Sequence, residues 1–474
     1  MKNKLILITG ATGYIASRLI PRLLDAGYRV RTLARDPRRL AGRKWSSSVE
    51  MVSGDVMSPQ TLGPALDGVH TAYYLIHNMS SGRGYTAREL DGAYNFATAA
   101  EAAGVQHIIY LGGLADPDQD IAPHMRSRIE TGEVLREGKV PVTEFRAGVI
   151  VGPGSISFEM IRFMTEQFPI LPGPRWLKNR SQPIAVQNVL DYLIAALDTT
   201  NGHDKIFEIG GPDVKVYSDL MLTYARLRGL RRWLFTVPMI PIWFMAWWVD
   251  KLTPIPLPIA YALIGGLQND SLVRDDSAQR VFPSVKLISY EDATTFSLKQ
   301  LRADLLERIW EGGTHLKTQL KHEGFFIDHR RAYIAAPPES IYRIFISIGG
   351  KNGWLYGDWL WKLRGQLDHL IGGPGLRGRS IELQEGDVLE YFRVELLKQN
   401  HAMCLRSELK APGDGWMEWC VESKDGQDSI LTQTAFFAPR GLPGFLYWYL
   451  LNPLHRFLFR GLIRRIAQRA ELVS

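Results

Sequence analysis

The residues Thr9-Gly10-Ala11-Thr12-Gly13-Tyr14-Ile15-Ala16 have the types and spacing to hold a diphosphate. They follow the apolar run Leu5 to Ile8 and open a helical pattern from Tyr14 to Ala26, so the order is strand, tight turn and helix N-terminus. Gly10 permits the turn, Gly13 lets main chain approach a pyrophosphate, and the small Ala16 lets helix pack close on strand. The amides from Gly10, Ala11 and Thr12 through Tyr14 and Ile15 then face an anion together with the helix dipole. A dinucleotide is the expected ligand. The competing explanation is a glycine turn that needs φ > 0 and holds nothing.

Context favours the ligand. A second strand, Tyr28 to Ala34, comes after the helix stop Gly27, and a third, Glu50 to Ser53, ends in Gly54-Asp55-Val56, which completes the βαβ unit that the motif requires. Asp55, Val56, Leu75 and Gly112, each at the end of a strand, are further candidates for cofactor contact. Cofactor choice turns on the residues just beyond the second strand. There the order is Ala34-Arg35-Asp36, with Arg38 and Arg39 next in line. A guanidinium pairs bidentately with phosphate, so Arg35 favours NADP, while Asp36 leaves NAD open and a solvated basic turn is the bland alternative.

The elements that position these residues continue along the chain. Thr71 to Ile76, His107 to Leu111, Val142 to Val151 and Phe207 to Ile209 read as strands, with helices at Ala87 to Ala103 and Arg128 to Glu137. Such alternation predicts an α/β doubly wound sheet. At 474 residues the chain is too long for one ordinary domain. The net charge of +7 is modest, and no groove-reading motif accompanies it, so nucleic acid is not an expected partner. Cys404 and Cys420 form no CxxC pattern, which argues against a disulfide framework or a metal site and for buried thiols in a reducing cytosol. The first strand starts at the N-terminus, leaving no room for a signal peptide, and the expected location is cytoplasmic.

With these residues in view, positions 1 to about 300 resemble an atypical, NmrA-like or extended short-chain dehydrogenase/reductase. The resemblance rests on TGATGYIA at 9–16, LARD at 33–36, GDV at 54–56, YLIH at 74–77, IYLGGL at 109–114 and RAGVIVGPGSISFEMIR at 146–162. It extends through QPIAVQNVL at 182–190 and FEIGGPD at 207–213 to a subfamily in which this module is fused to a C-terminal domain of unknown function. The resemblance implies a Rossmann domain that holds NAD(P). Catalytic members usually carry a serine after the fifth strand and a Tyr-x-x-x-Lys on the next helix. Here Gly112 and Gly113 occupy the serine region, and the alignment puts His124 at the tyrosine position and Arg128 at the lysine position.

Hydride transfer to a carbonyl needs a proton donor or a stabiliser for the developing alkoxide. His124, with an ordinary pKa of about 6.5, is the expected donor, although a neighbouring Arg128 cation disfavours imidazolium. Arg128 can stabilise an oxyanion or clamp the nicotinamide ribose. The alternative is a surface histidine and an ordinary helix charge. His77 and Tyr85 are the other candidate acids.

Trp233 to Leu267 carries Trp233, Trp243, Trp247 and Trp248, with only Asp250 and Lys251 as charges. Pro238, Pro241, Pro254, Pro256 and Pro258 interrupt it, and its uncharged pieces fall short of the ~20 residues of a membrane span. Three readings stay open: a cover for a substrate pocket, an inter-domain surface, or a peripheral foothold on the membrane.

A helix from Asp292 to Glu311 leads to a second module, which places the domains at 1–315 and 324–474. Phe326 to Ala335 reads as a strand, and Pro337-Pro338 starts a helix through Ile346. Val388 to Leu397, Met403 to Lys410, Met417 to Glu422 and Ser429 to Phe437 then alternate as strands, with hairpin signals at Pro412-Gly413-Asp414-Gly415 and Asp425-Gly426. Met403, Leu405 and Leu409 face one way and Cys404, Arg406, Glu408 and Lys410 the other, as in an antiparallel sheet with one buried face. A long helix, Leu442 to Ala470, closes the chain. This order resembles the α+β helix-grip fold of the START-like superfamily, through IGGKNGWLYGDWLW at 348–361, LRGQLDHLIGGPGLRGR at 363–379 and FAPRGLPGFLYWYLLNPLH at 437–455. That resemblance implies an apolar cavity and an apolar small molecule or lipid. The last helix carries Arg456, Arg460, Arg464, Arg465 and Arg469 among apolar residues, which suits either anionic lipid or an arginine-rich outer face.

Overall fold

The computed structural model describes residues 4–40, 43, 45–77, 85–253, 255–300, 320–322, 325–424 and 427–473. The chain divides into two compact units, 1–314 and 315–474.

The first unit is built on strands β1 (Leu5–Thr9), β2 (Arg29–Ala34), β3 (Glu50–Ser53), β4 (Thr71–Tyr74), β5 (His107–Gly113) and β6 (Val142–Ala147), with Lys205–Ile209 at the edge. All pairings are parallel, and the order across the sheet is the edge strand, β6, β5, β4, β1, β2, β3. Both faces are covered: Ile6, Ile8, Tyr73 and Phe145 enter one core, while Leu5, Leu7, Tyr74 and Tyr110 enter the other. That is why the central strands read as continuous apolar runs rather than alternating ones. Strand order reverses between β1 and β4, and the carboxyl ends of the strands open a crevice there.

β6 carries a fully buried acid. Glu144 accepts from Arg146 Nε at 2.6 Å and pairs with Arg136 on the helix Pro123–Glu137. A methyl at Gly132, on that helix, would lie 2.4 Å from Glu144 Oε2, so the glycine admits the close approach and the ion pairs hold it.

Several elements depart from the sequence reading. The helix expected from Arg128 starts at Pro123, whose missing N–H costs nothing in the first turn, so His124 is helical. The expected strand Val142 to Val151 is two: Val142–Ala147 in the main sheet, then Ile150–Val151 pairing with Ile184–Ala185. The apolar stretch folds as a strand, Trp233–Val237, and two helices, Ile242–Leu252 and Leu257–Gly266. Pro241 and Pro256 are their N-caps, so these prolines divide the stretch as expected and also mark where its helices begin. Among the described residues no helix is long and apolar enough to cross a membrane. The helix expected over Asp292 to Glu311 is Tyr290–Lys299, capped by Ser289 Oγ accepting from Asp292 N–H, and the rest of that stretch lies outside the described residues.

The second unit has an antiparallel sheet in the order Leu320–His322, Phe325–Ile334, Ser429–Pro439, Gly413–Ser423, Ala402–Ser407, Phe392–Lys398, Val388–Leu389. The helix Gly441–Glu471 packs on it: Trp448 stacks on Phe326 at 5.1 Å and on Phe437 at 5.7 Å, and Leu458, Leu462 and Ile466 enter the core. Its arginines at 456, 460, 464 and 465 are exposed, which is the outer-face arrangement. The helix Asp358–Leu370 has no counterpart in the sequence reading. The strands Ala402–Ser407 and Gly413–Ser423 do form the expected antiparallel hairpin, but its connection ends at Pro412, because Gly413 and Asp414 already pair with Pro439 and Ala438. Gly413 is needed there since a methyl would meet the Ala438 carbonyl oxygen at 2.4 Å. Asp425-Gly426 lies outside the described residues. The second sheet face is also partly covered: Cys404 and Cys420 are buried thiols that lie opposite Glu418 and Ala402, not opposite each other.

Removing the acid takes the direct ion-pair partner from two cations, of which Arg146 is buried and Arg136 part-buried, so Glu144→Ala is expected to destabilise the first unit by about 3 kcal/mol. Urea unfolding of parent and variant, followed by near-UV circular dichroism, checks this.

Candidate functional site

The site begins at the end of β1. Thr9 Oγ1 donates to the Tyr73 carbonyl at 3.0 Å and accepts from the Leu75 N–H at 3.0 Å, tying the ends of β1 and β4 together. Gly10 comes next with φ +64, and a methyl on it would lie 2.5 Å from the Leu75 carbonyl oxygen. The turn closes by Gly13 N–H donating to the Gly10 carbonyl at 2.8 Å. Gly13 then begins the helix Tyr14–Asp25 in extended conformation, and no side chain caps that end. Ala11 is buried, whereas Thr12 and Gly13 are exposed. The result is open main chain at a helix N-terminus, which suits a diphosphate.

Register places the second arm. Thr9 pairs with Leu33, and Ala34 pairs with Ser53, so Gly10, Arg35 and Gly54-Asp55 leave the sheet side by side. Arg35 is exposed and engages no described residue. Asp36 is occupied: it accepts from Arg38 N–H at 3.1 Å and from Arg38 Nε at 2.9 Å, and this pairing holds its carboxyl below the usual range. Asp55 Oδ1 accepts from Met57 N–H at 3.0 Å, and the buried Val56 offers its carbonyl to Asn95 Nδ2 at 3.0 Å.

On the other side of the turn lies a cavity of about 380 Å³. It brings together Gly13, Tyr14, Ile15, Leu75, Gly112, His124 and Arg128 from the expected set, and His77 besides. Gly10, Ala11, Thr12, Arg35, Asp55 and Val56 do not line it. Tyr85 starts the helix Tyr85–Ala102, and its side chain lies outside the described residues.

The catalytic positions are altered by packing as well as by residue type. A methyl at Gly113 would meet Met125 Cε at 2.7 Å and Arg128 Cδ at 3.0 Å, so the space a serine would use is filled. His124 is 6% exposed rather than on the surface. Burial, and then the Arg128 charge, push its pKa down to about 4. His77 is held well below the ordinary range by the same two causes, opposed by a hydrogen bond with the Leu111 backbone. Both imidazoles are therefore neutral at pH 7, and the reading of His124 as a ready proton donor gives way to a neutral hydrogen-bonding group beside a cation.

The apolar segment is part of this cavity. Ile259, Leu263, Gly266 and Leu267 line it, and a methyl at Gly266 would sit 3.1 Å from His124 Cε1. A second, narrower cavity of about 80 Å³ adjoins it through Val149, Ser157, Tyr217 and Leu267, with Met160, Phe244 and Trp248 among its walls. Tyr217, whose hydroxyl burial pushes up to about 12, stands on the shared wall and was missed in the sequence. It opens the helix Tyr217–Arg228 within no motif, so only the fold brings it in. The outer side of the segment leaves Met239 88% and Trp243 64% exposed. Among the described residues no cluster of His, Cys, Asp or Glu could hold a metal.

Residues 2–167 match the NmrA-like family. Residues 322–462 match a protein family of unknown function, DUF2867. A (4-alkanoyl-5-oxo-2,5-dihydrofuran-3-yl)methyl phosphate reductase from Streptomyces griseus subsp. griseus is 28% identical over 306 residues, covering 62% of this chain and 95% of its own. The photosystem II assembly factor Ycf39 of Cyanophora paradoxa is 26% identical over 242 residues, 49% of this chain and 71% of the relative. Among solved structures, a Citrobacter triphenylmethane reductase complexed with NADP(H) superimposes with a TM-score of 0.51 at 18% identity, over 62% of this chain and 99% of that one. This likeness shows the Rossmann-type fold of the first unit.

A buried neutral histidine makes stability depend on pH. Below its unfolded pKa of about 6.5 the unfolded chain takes up a proton that native His124 refuses until about pH 4, so stability present above pH 6.5 is lost on the way down to about pH 4. A shift of that size is worth on the order of 3 kcal/mol. His124→Asn is expected to flatten the fall between pH 6.5 and 4, as read from urea midpoints across that range, and parallel curves for parent and variant would contradict a neutral buried imidazole.

Proposed function

We propose that the first unit is an NADPH-dependent oxidoreductase that reduces an apolar conjugated acceptor, such as an enone or a quinone. Three features of the chain fit the cofactor: the cradle at Gly10 that a methyl would fill, the exposed main chain at Thr12 and Gly13, and Arg35 at the end of β2 where a 2′-phosphate would be met. When bound, the reduced nicotinamide supplies a hydride. Arg35 rather than Asp36 recognises the ribose substituent, since Asp36 is already engaged by Arg38.

The observation that carries the reaction class is the filled serine position beside Arg128, with His124 neutral next to it. As hydride reaches a carbon of a conjugated acceptor, an electron pair moves onto the substrate's oxygen. Arg128 stabilises that negative charge but cannot give up a proton. Because the charge is delocalised, the proton can follow from water, whereas an isolated carbonyl needs its proton within the step. His124 and His77 hydrogen-bond the acceptor as neutral rings. Leu263, Leu267 and Tyr217 make one wall apolar and select an apolar substrate. The similarity to a reductase along 95% of its length supports this reading. A second reading, an NADP holder without turnover, draws on the missing Ser/Tyr/Lys set and on the similarity to an assembly factor.

Titration calorimetry is expected to show NADPH preferred over NADH, with the preference lost in Arg35→Asp. Stopped-flow oxidation of bound NADPH is expected with apolar quinones and enones and not with simple aldehydes, and Arg128→Met should slow it by about 10²–10³. A cofactor that binds and is never oxidised by any of these acceptors assigns the second reading.

A further inference from the structure

We propose that the second unit binds an apolar molecule ending in a single small anion, such as a carboxylate, with Arg364 as the counter-charge and Tyr391 and His455 as hydrogen-bond partners. The inference rests on a cavity of about 220 Å³ within that unit and is independent of the reading of the first. Its walls come from the helices Asp358–Leu370 and Gly441–Glu471 and from the sheet, and Trp361, Phe392, Met417, Phe436, Leu458 and Phe459 make them apolar.

Two polar atoms in this lining lack the partners that burial demands, and a cation stands in the same lining. Arg364 is half-buried, and its guanidinium donates to the Tyr447 hydroxyl and lies 5.3 Å from the centre of the Tyr447 ring. Among the described residues no carboxylate forms an ion pair with it. Asp368, one turn along the same helix, acts on Arg364 through its charge, but its oxygens accept from the N–H groups of Lys410 at 2.7 Å and Gly375 at 3.1 Å. The Tyr391 hydroxyl and His455 Nδ1 are buried with no hydrogen-bond partner. Burial, and then the Arg364 charge, hold His455 neutral with a pKa pushed down to about 3, while burial pushes the Tyr391 hydroxyl up, so it keeps its proton. A cation, a phenol donor and a neutral imidazole thus share one apolar cavity.

Buried charges are retained where something compensates them, and buried polar atoms are ordinarily paired. A neutral apolar guest would fill the volume but leave the guanidinium desolvated and the two polar atoms orphaned. A polyanion would exceed the one positive charge. A monoanion with an apolar body satisfies all of them. Leu363, Leu367 and Leu454 line the same cavity and are exposed, which marks the rim toward which the apolar chain would run.

Titration of the full chain with dodecanoate, dodecanol and dodecyl phosphate, followed by calorimetry, tests this. Dodecanoate is expected to bind about tenfold more tightly than dodecanol, since only the acid gains charge-assisted hydrogen bonds. Arg364→Met should remove that preference while still binding dodecanol, which separates loss of charge from loss of fold. Dodecyl phosphate, close to a dianion at neutral pH, is expected to bind more weakly than dodecanoate, and tighter binding of the phosphate would overturn a site built for a single negative charge. Equal affinity of the parent for acid and alcohol, a preference that survives Arg364→Met, or no binding of any of the three overturns the proposal.

Discussion

The junction between the ends of β1 and β4 is held by one hydroxyl and by the lack of one side chain. Thr9 Oγ1 bonds both the Tyr73 carbonyl and the Leu75 N–H, and Gly10 passes so close to the Leu75 carbonyl that no methyl fits. A parallel sheet whose strand order reverses here must part its connections to opposite faces, and the crevice that results is floored by main chain. The uncapped helix end at Gly13, the exposed residues Thr12 and Gly13 and the neighbouring ends of β2 and β3 are consequences of that geometry. A bulkier residue at position 10 would push β4 away and with it Leu75 and His77, which line the cavity on the other side.

A second constraint sets the distance between sheet and helix. Glu144 projects from β6 into the helix Pro123–Glu137, where Gly132 leaves room for the carboxylate and Arg136 pairs with it. His124 and Arg128 stand one turn apart on the same helix, hence on one face, and both line the cavity. Their proximity has an electrostatic consequence, for the cation depresses the histidine further than burial alone does. The helix Leu257–Gly266 closes over this pair through Gly266, so an apolar segment that was ambiguous as sequence becomes a wall of the site.

The features readable from sequence are those whose physics is local. The turn at Gly10 and Gly13, the strand ends at Arg35 and Asp55, and the alternation of strands and helices depend on neighbours within a few residues, and their positions agree with the structure to within a residue or two at most boundaries. What escaped reading depends on distant chain. That Asp36 is consumed by Arg38 is a matter of side-chain direction, that His124 is buried depends on a helix more than a hundred residues later, and that Tyr217 faces the cavity depends on the whole sheet. Gly413 misled for a related reason. Glycine beside proline and aspartate usually signals a turn, but here it marks a strand pressed against the Ala438 carbonyl.

The two units share no fold, yet their cavities use one electrostatic arrangement. In each, an arginine borne on a helix meets a buried histidine, and the charge helps keep the imidazole neutral: Arg128 beside His124 and His77, Arg364 beside His455. Both arginines are half-buried in the lining of their cavities, so each guanidinium faces whatever enters. A neutral imidazole can still donate or accept a hydrogen bond, so it orients a guest without competing for the positive role. The difference lies in what shares the cavity. The first opens beside the turn at Gly10 and Gly13, whereas the second holds the unpartnered Tyr391 hydroxyl and His455 Nδ1. On the two proposals made above, the difference between the cavities is set by the groups around each arginine and not by the arginines themselves.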